Sequence, residues 1–204
     1  MIGRHCFGTF HCLAVVEAAR LTGSACQGPL GRQGAGALAQ KLSGQGLGEI
    51  VVVRDGVAGA LALPGGIVLV SNALIIGAED AEPLAGSILA ALLRADIDDP
   101  VIAILRHAGL AATVRLLTTG HLPLDGLAGY AENLLNTKIL ALPDAVLLEK
   151  FKQIGLSSGG YARSLDPSGK STARLIAEDP FKGISPAPIL SDNDWIRLQG
   201  ICAG

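Results

Sequence analysis

The chain has 204 residues, of which half are hydrophobic, 17% are charged and 3% are aromatic. This composition excludes disorder over most of the chain. The formal net charge of −2 leaves no basic excess to hold a phosphate backbone, so we expect no nucleic-acid partner. Uninterrupted apolar runs reach only about 8–10 residues, against the roughly 20 of a membrane-spanning helix. Association with a membrane therefore stays open.

The N-terminal region predicts two helices. Apolar residues at helical spacing, separated by glycines, favour helices over 10–22 and 30–43. We assign residues 1–25 to an N-terminal segment and residues 26–204 to a single folded domain. One interpretation of residues 1–25 is a helix separate from that domain.

The four cysteines do not form a recognisable metal motif. His5-Cys6 and His11-Cys12 lie six residues apart, but they lack the usual spacing of zinc ligands. Cys26 and Cys202 lie near the two ends of the folded region and could form a disulfide in an oxidising compartment. The sequence alone leaves that pairing open.

Three short strands are predicted in close succession. Residues 49–54, 57–63 and 67–71 are apolar and β-branched, with Asp55-Gly56 and Pro64-Gly65-Gly66 between them. Their spacing favours a small meander. Apolar residues at helical spacing then predict a helix over 81–97, on which the sheet packs.

The rest of the chain is predicted to be nearly all helical. Glycine, proline or aspartate marks each break between the predicted helices, which cover 100–108, 110–118, 124–136, 143–154, 170–178 and 192–201, with a Gly/Ser-rich loop at 155–170. The fold class is therefore α+β, with a small, mainly antiparallel sheet followed by a helical C-terminal half.

A Gly-Lys-Ser stretch at 169–171 superficially matches a phosphate-binding loop. The full pattern needs a glycine five residues before Gly169, where Ser164 stands, and a buried strand just upstream. Too few residues follow to complete a parallel sheet. We expect no nucleotide partner.

The segment from Ala60 to Ser71 carries the one motif that points to a family. The A-L-P-G-G run joins two predicted strands. It is followed by Asn72-Ala-Leu, then by the acidic pair Glu79-Asp80, and then by Leu84-Ala85. This series resembles the membrane-associated zinc metallopeptidases of the HtpX and CAAX-prenyl-protease type, over roughly 50–100 of the chain. In that family the helix after the acidic segment carries the L-A-x-x-x-x-HExxH motif.

The resemblance implies a zinc site whose ligands are missing. Counting from Leu84-Ala85, the two histidines would fall at Ala90 and Arg94 and the general-base glutamate at Ala91. The family's third ligand is a glutamate on a later helix, for which Glu132 is the nearest candidate. The sequence thus predicts a vestigial active-site helix, no catalytic residues, no metal and no cofactor. We expect Arg94 to point into the vestigial cavity and to pair with Glu132, although an exposed Arg94 is an equal alternative.

These observations predict a catalytically inactive metallopeptidase-like domain that binds an extended peptide or protein segment. The peptide would add to a sheet edge, in a groove at Gly59, Leu61 and Leu63. Two alternatives remain: an active zinc endopeptidase with non-standard ligands, and a structural module of an envelope complex. We assign no location, although a bacterial cell envelope fits the resemblance better than the cytoplasm.

Overall fold

The structure is a computed structural model that describes residues 10–119, 122, 124–184 and 186–203, without the side chains of 10–13, 124 and 125. The pairs His5-Cys6 and His11-Cys12 lie outside the described side chains.

A three-stranded sheet forms the centre of the fold. Its strands are β1 (Glu49–Val53), β2 (Ala60–Leu63) and β3 (Ile67–Ser71), in the order β1-β3-β2. β3 runs antiparallel to β2 but parallel to β1, so the sheet is mixed and the predicted meander is wrong. Every residue of β3 is buried. A strand that is apolar on both faces belongs at the centre of a sheet, which leaves β1 and β2 as its edges.

Ten helices surround this sheet in the described part of the chain. Their bounds are α1 (Phe10–Thr22), α2 (Pro29–Leu42), α3 (Asn72–Ile76), α4 (Glu82–Ile97), α5 (Pro100–Thr119), α6 (Tyr130–Asn136), α7 (Asp144–Ile154), α8 (Ser158–Leu165), α9 (Ala173–Ala177) and α10 (Asp192–Gln199). The α+β class with a helical C-terminal half is confirmed. The loop predicted over 155–170 is wrong, because α8 lies within it.

The helix α4 packs against the sheet, as predicted. Residues 84–92 of α4 are all buried, and Leu84 and Ile88 are completely inaccessible. One face of the sheet, with Val68 and Val70, belongs to the core that α4 shares with α2 and α8. The opposite face, with Ile67 and Leu69, packs in a second core with α1, α5 and α6. The sheet is therefore covered by helices on both sides.

A disulfide joins the segment between α1 and α2 to the C-terminal segment of the chain. Cys26, just before α2, is bonded to Cys202, just after α10. Helix α10 lies directly on α2, and the Gly28 N–H donates a hydrogen bond of 3.0 Å to the Ile201 carbonyl beside the disulfide. The pairing that the sequence left open is thus formed.

Candidate functional site

A cavity of about 330 Å³ lies along the free edge of β2. Its walls are contributed by β2 and the turn before it, by α4, α5 and α6, and by the connection between α6 and α7. The residues that bear on its chemistry are Ala60, Ala62, Ala91, Arg94, His107 and Tyr130. Small apolar side chains therefore dominate next to β2, with polar groups on the opposite wall.

The outward-facing backbone of β2 follows from its pairing with β3. The Ser71 N–H donates to the Gly59 carbonyl at 2.9 Å, across the register that also aligns Ala60 with Val70. Hydrogen-bonded and non-bonded pairs alternate in an antiparallel ladder, so Ala60 and Ala62 occupy non-bonded positions. Their N–H and C=O groups point away from β3, toward the free edge. Within the described ranges, no backbone group from outside the sheet bonds to either residue.

Tyr130 lines this cavity and carries a fully buried, unsatisfied hydroxyl. Its side chain is buried, and its hydroxyl has no hydrogen-bond partner among the described residues. Burial raises the pKa of Tyr130 to about 12, so the hydroxyl keeps its proton at neutral pH and can both donate and accept. A buried hydroxyl without a partner is destabilising by roughly 1–3 kcal/mol.

His107 is fixed beside Tyr130 by two contacts. Its Nε2 lies 2.9 Å from the Ala128 carbonyl, which can only accept, so Nε2 carries the proton. Its Nδ1 then accepts from the Asn133 amide at 3.4 Å. The His107 and Tyr130 rings meet edge to face, with centroids 5.6 Å apart. The imidazole is thus oriented by its neighbours rather than free to rotate.

The three positions at which the resemblance places the zinc site do not all line the cavity. Ala90 is completely buried in the core, whereas Ala91 and Arg94 lie on the cavity wall. Neither a methyl group nor a guanidinium ligates zinc. Within the part of the chain that the structure describes, no group of three or more His, Cys, Asp or Glu side chains could hold a metal ion.

Arg94 is half-buried and bonds to neutral groups. Its Nε donates a hydrogen bond of 2.9 Å to the carbonyl of Leu140, in the connection between α6 and α7. Burial raises the pKa of the Tyr161 hydroxyl, and the nearby Arg94 guanidinium opposes that rise through its charge and a hydrogen bond. Arg94 thereby ties one wall of the cavity to α4.

The predicted pairing of Arg94 with Glu132 is wrong. Glu132 accepts one hydrogen bond from Arg20 of α1, and this contact lowers the pKa of its carboxyl. The reason lies in helix geometry: Tyr130 and Asn133 share the face of α6 that lines the cavity, and Glu132 lies on the other side of the helix. That side packs against α1.

The predicted groove residues only partly line the cavity. Leu61 does so, but Leu63 is buried in the second core, and Gly59 precedes the strand without lining it. The Gly59 carbonyl and the backbone N–H and C=O groups of Leu61 and Leu63 face β3. Those of Ala60 and Ala62 face the free edge. Tyr130 and His107 line the cavity but were not among the predicted groove residues. The helical spacing of Tyr130 and Asn133 was the available signal for the first of them.

A second cavity, of about 370 Å³, lies along β1. The carbonyl of Val52 on that edge already accepts a hydrogen bond from the Cys26 N–H at 2.8 Å. Of the described residues that line this cavity, none carries a buried, unpartnered side-chain atom. The cavity along β2 is therefore the better candidate site.

The Gly-Lys-Ser stretch forms a turn around an acidic side chain. The Asp166 carboxylate accepts from the N–H and hydroxyl groups of Ser168 and Ser171, at 2.6–2.9 Å. The hydrogen bond from the Ser168 hydroxyl is the largest cause that holds the pKa of Asp166 far below its usual range, and the two from Ser171 add to it. The backbone donors that would bind a phosphate in a nucleotide-binding loop are thus directed to an anion of the chain itself.

Comparison with known proteins adds no relative: no protein-family model matches the chain, and no curated protein matches it. The resemblance carried by residues 60–85 therefore remains a hypothesis.

Proposed function

We propose that this chain binds an extended peptide segment along the free edge of β2. The observation that carries the proposal is the position of the outward N–H and C=O groups of Ala60 and Ala62 on a cavity wall. An extended peptide laid beside this edge would satisfy these groups as an added strand. The four residues of β2 span about 13 Å, which suits a peptide core of about four residues.

The cavity walls suggest which peptide would fit. The alanines of β2 and α4 leave shallow, apolar space, which favours small or aliphatic side chains on the peptide. The polar side chains of Arg94, His107 and Asn133 also line the cavity and could bond to a peptide carbonyl or amide. Backbone bonds would supply affinity, and the pockets would supply selectivity.

We further propose that the scaffold is that of a metallopeptidase of the HtpX type that no longer binds zinc. Its support is the order of the A-L-P-G-G turn, the acidic segment and α4, with Ala91 and Arg94 on the cavity wall. The Cys26–Cys202 disulfide supports a location in an oxidising compartment such as a bacterial envelope.

Two other functions make different predictions. An active zinc endopeptidase would contain one zinc per chain and would cleave unstructured peptides until a chelator is added. We expect neither for the purified protein. A purely structural module would keep β2 covered, whereas Ala60 and Ala62 border open space in the cavity.

The edge of β2 is tested by replacing Ala62 with proline. Proline removes the outward N–H, and it leaves the ladder with β3 intact because Ala62 is at a non-bonded position. A heptapeptide selected from a random phage library on the immobilised protein serves as the probe, labelled for fluorescence anisotropy. We expect the affinity to fall about tenfold, as for the loss of one hydrogen bond.

Ala62→Ser is the matched control, because it keeps both the N–H and a small side chain; its affinity should match that of the original protein. Circular dichroism checks that both variants fold. Equal affinity of the proline and serine variants would contradict binding by strand addition.

The role of the Tyr130 hydroxyl is tested separately by Tyr130→Phe. Because that hydroxyl has no partner among the described residues, its removal should leave the free energy of unfolding unchanged or raise it by about 1 kcal/mol. The same variant should bind the selected peptide with unchanged affinity, because the hydroxyl has no accessible surface in the cavity. Urea unfolding and anisotropy measure the two effects. A clear loss of stability would contradict the absence of a partner for this hydroxyl in the fold.

A further inference from the structure

The second half of α5 exposes an apolar stripe to solvent. Leu110 is 81% exposed and Leu117 is 79% exposed, and Val114 between them is also exposed. These residues follow one another at i, i+4 and i+7, so they lie on one face of the helix. The buried Ala112 lies on the opposite face. This helix thus has an apolar face in the core and a second apolar face that points to solvent.

Two exposed basic side chains lie on the same segment as the stripe. The segment Pro100–Thr119 contains Arg106 and Arg115 and no acidic residue, although the whole chain has a net charge of −2. Both arginines are exposed. We refer to Leu110, Val114, Leu117, Arg106 and Arg115 together as the α5 surface.

The α5 surface suits the interface of a bilayer better than its interior. By length and composition alone, Pro100–Thr119 could cross a membrane. However, Gly109 has φ of +81° and ψ of 174°, which breaks the segment into two short helices. Each is about 15 Å long, half of what the hydrocarbon core requires. The arginines would also be costly to bury there, whereas at the interface they can face the headgroups.

We propose that the α5 surface binds the interface of an anionic lipid bilayer, with the three aliphatic side chains inserted and the two arginines on the headgroups. Charge complementarity favours this occupant. A second copy of the chain would bring like arginines together across a two-fold axis. Three side chains also fall short of the ~800 Å² that each partner buries in a stable interface.

Vesicle co-sedimentation tests the proposal with the full chain. Vesicles of phosphatidylcholine containing phosphatidylglycerol should bind the protein, and vesicles of phosphatidylcholine alone should bind it much more weakly. The double variant Leu110→Ser/Leu117→Ser should partition at least about tenfold less. Arg106→Gln/Arg115→Gln should also reduce binding about tenfold, but only on anionic vesicles.

Ile196→Ser is the matched control, because Ile196 is 65% exposed on α10, outside the α5 surface; its binding should equal that of the original chain. Ala62→Pro should also bind vesicles normally, which separates this proposal from the peptide site. Absence of binding to anionic vesicles, or equal binding by the double leucine variant, would overturn the proposal. So would a dimer in sedimentation velocity that the double leucine variant converts to a monomer.

The variant Leu117→Trp gives a readout that needs no loss of binding. It keeps a large apolar side chain at the C-terminal end of the stripe. Trp195, the one tryptophan of the chain, is buried beside the Glu79 carbonyl. Brominated lipids should therefore quench the added fluorescence of Leu117→Trp and leave that of Trp195 unchanged. Lack of quenching in vesicle-bound protein would show that the α5 surface does not enter the bilayer.

Discussion

Replacing both Cys26 and Cys202 with serine should lower the free energy of unfolding by about 5 kcal/mol. The disulfide links residues 176 positions apart, so it restricts almost the whole unfolded chain. In the chain-entropy treatment, a link across so long a loop contributes near the upper end of the range for disulfides, at roughly 5 kcal/mol. Single domains are stable by only about 5–15 kcal/mol, so the effect is a large fraction of the total.

Urea unfolding in a Cys6→Ser/Cys12→Ser background measures this effect, since no other thiol can then exchange with the pair. The double variant should still fold, because α10 still packs on α2 and the Gly28–Ile201 hydrogen bond remains. Dithiothreitol should destabilise the background protein by the same amount and leave the Cys26/Cys202 variant unaffected. A midpoint that does not respond to reductant in either protein would show that the link does not contribute.

Local patterns in the sequence predicted most element positions. The helix over 10–22 is found at those bounds, and the glycine at 109 does separate two helical runs. Both results depend on the chain's own backbone preferences and periodicity, which are readable in a single sequence. Helix α8 escaped prediction because its glycines and serines have low helix propensity. It forms where Tyr161 and Ala162 are buried against the core, which is a tertiary effect.

Strand pairing required information that local patterns do not contain. The short connections favour a meander, but β3 is apolar on both faces and takes the central position between β1 and β2. The pairing of β1 with β3, rather than with β2 as in a meander, depends on contacts between residues that are distant in the sequence. The same limit applied to the site: counting along the chain located Arg94 on α4, but the rotation of α6 decided that Glu132 binds Arg20 instead.

The A-L-P-G-G turn acquires a structural role from this topology. The Gly66 carbonyl accepts hydrogen bonds from the N–H groups of Gly48, at 2.8 Å, and Glu49, at 3.3 Å. The turn between β2 and β3 is thereby attached to the backbone that leads into β1. This attachment sets the parallel register in which Glu49 lies beside Ile67. It also fixes β2, and with it the edge that borders the cavity.

Gly66→Ala should consequently lower the free energy of unfolding by about 3 kcal/mol. The residue has φ of +73°, and an added Cβ would lie 2.3 Å from the Gly46 carbonyl oxygen and 2.9 Å from the Gly48 nitrogen. Both are backbone atoms, which cannot move aside as a flexible side chain would. Gly155→Ala is the matched control, because Gly155 has φ of +72° with nothing within 4 Å of its added Cβ. That variant should lose only about 1 kcal/mol, the cost of the left-handed backbone. Urea unfolding of the two variants therefore isolates the contribution of the close contact, and equal losses would show that the turn is not held against the start of β1.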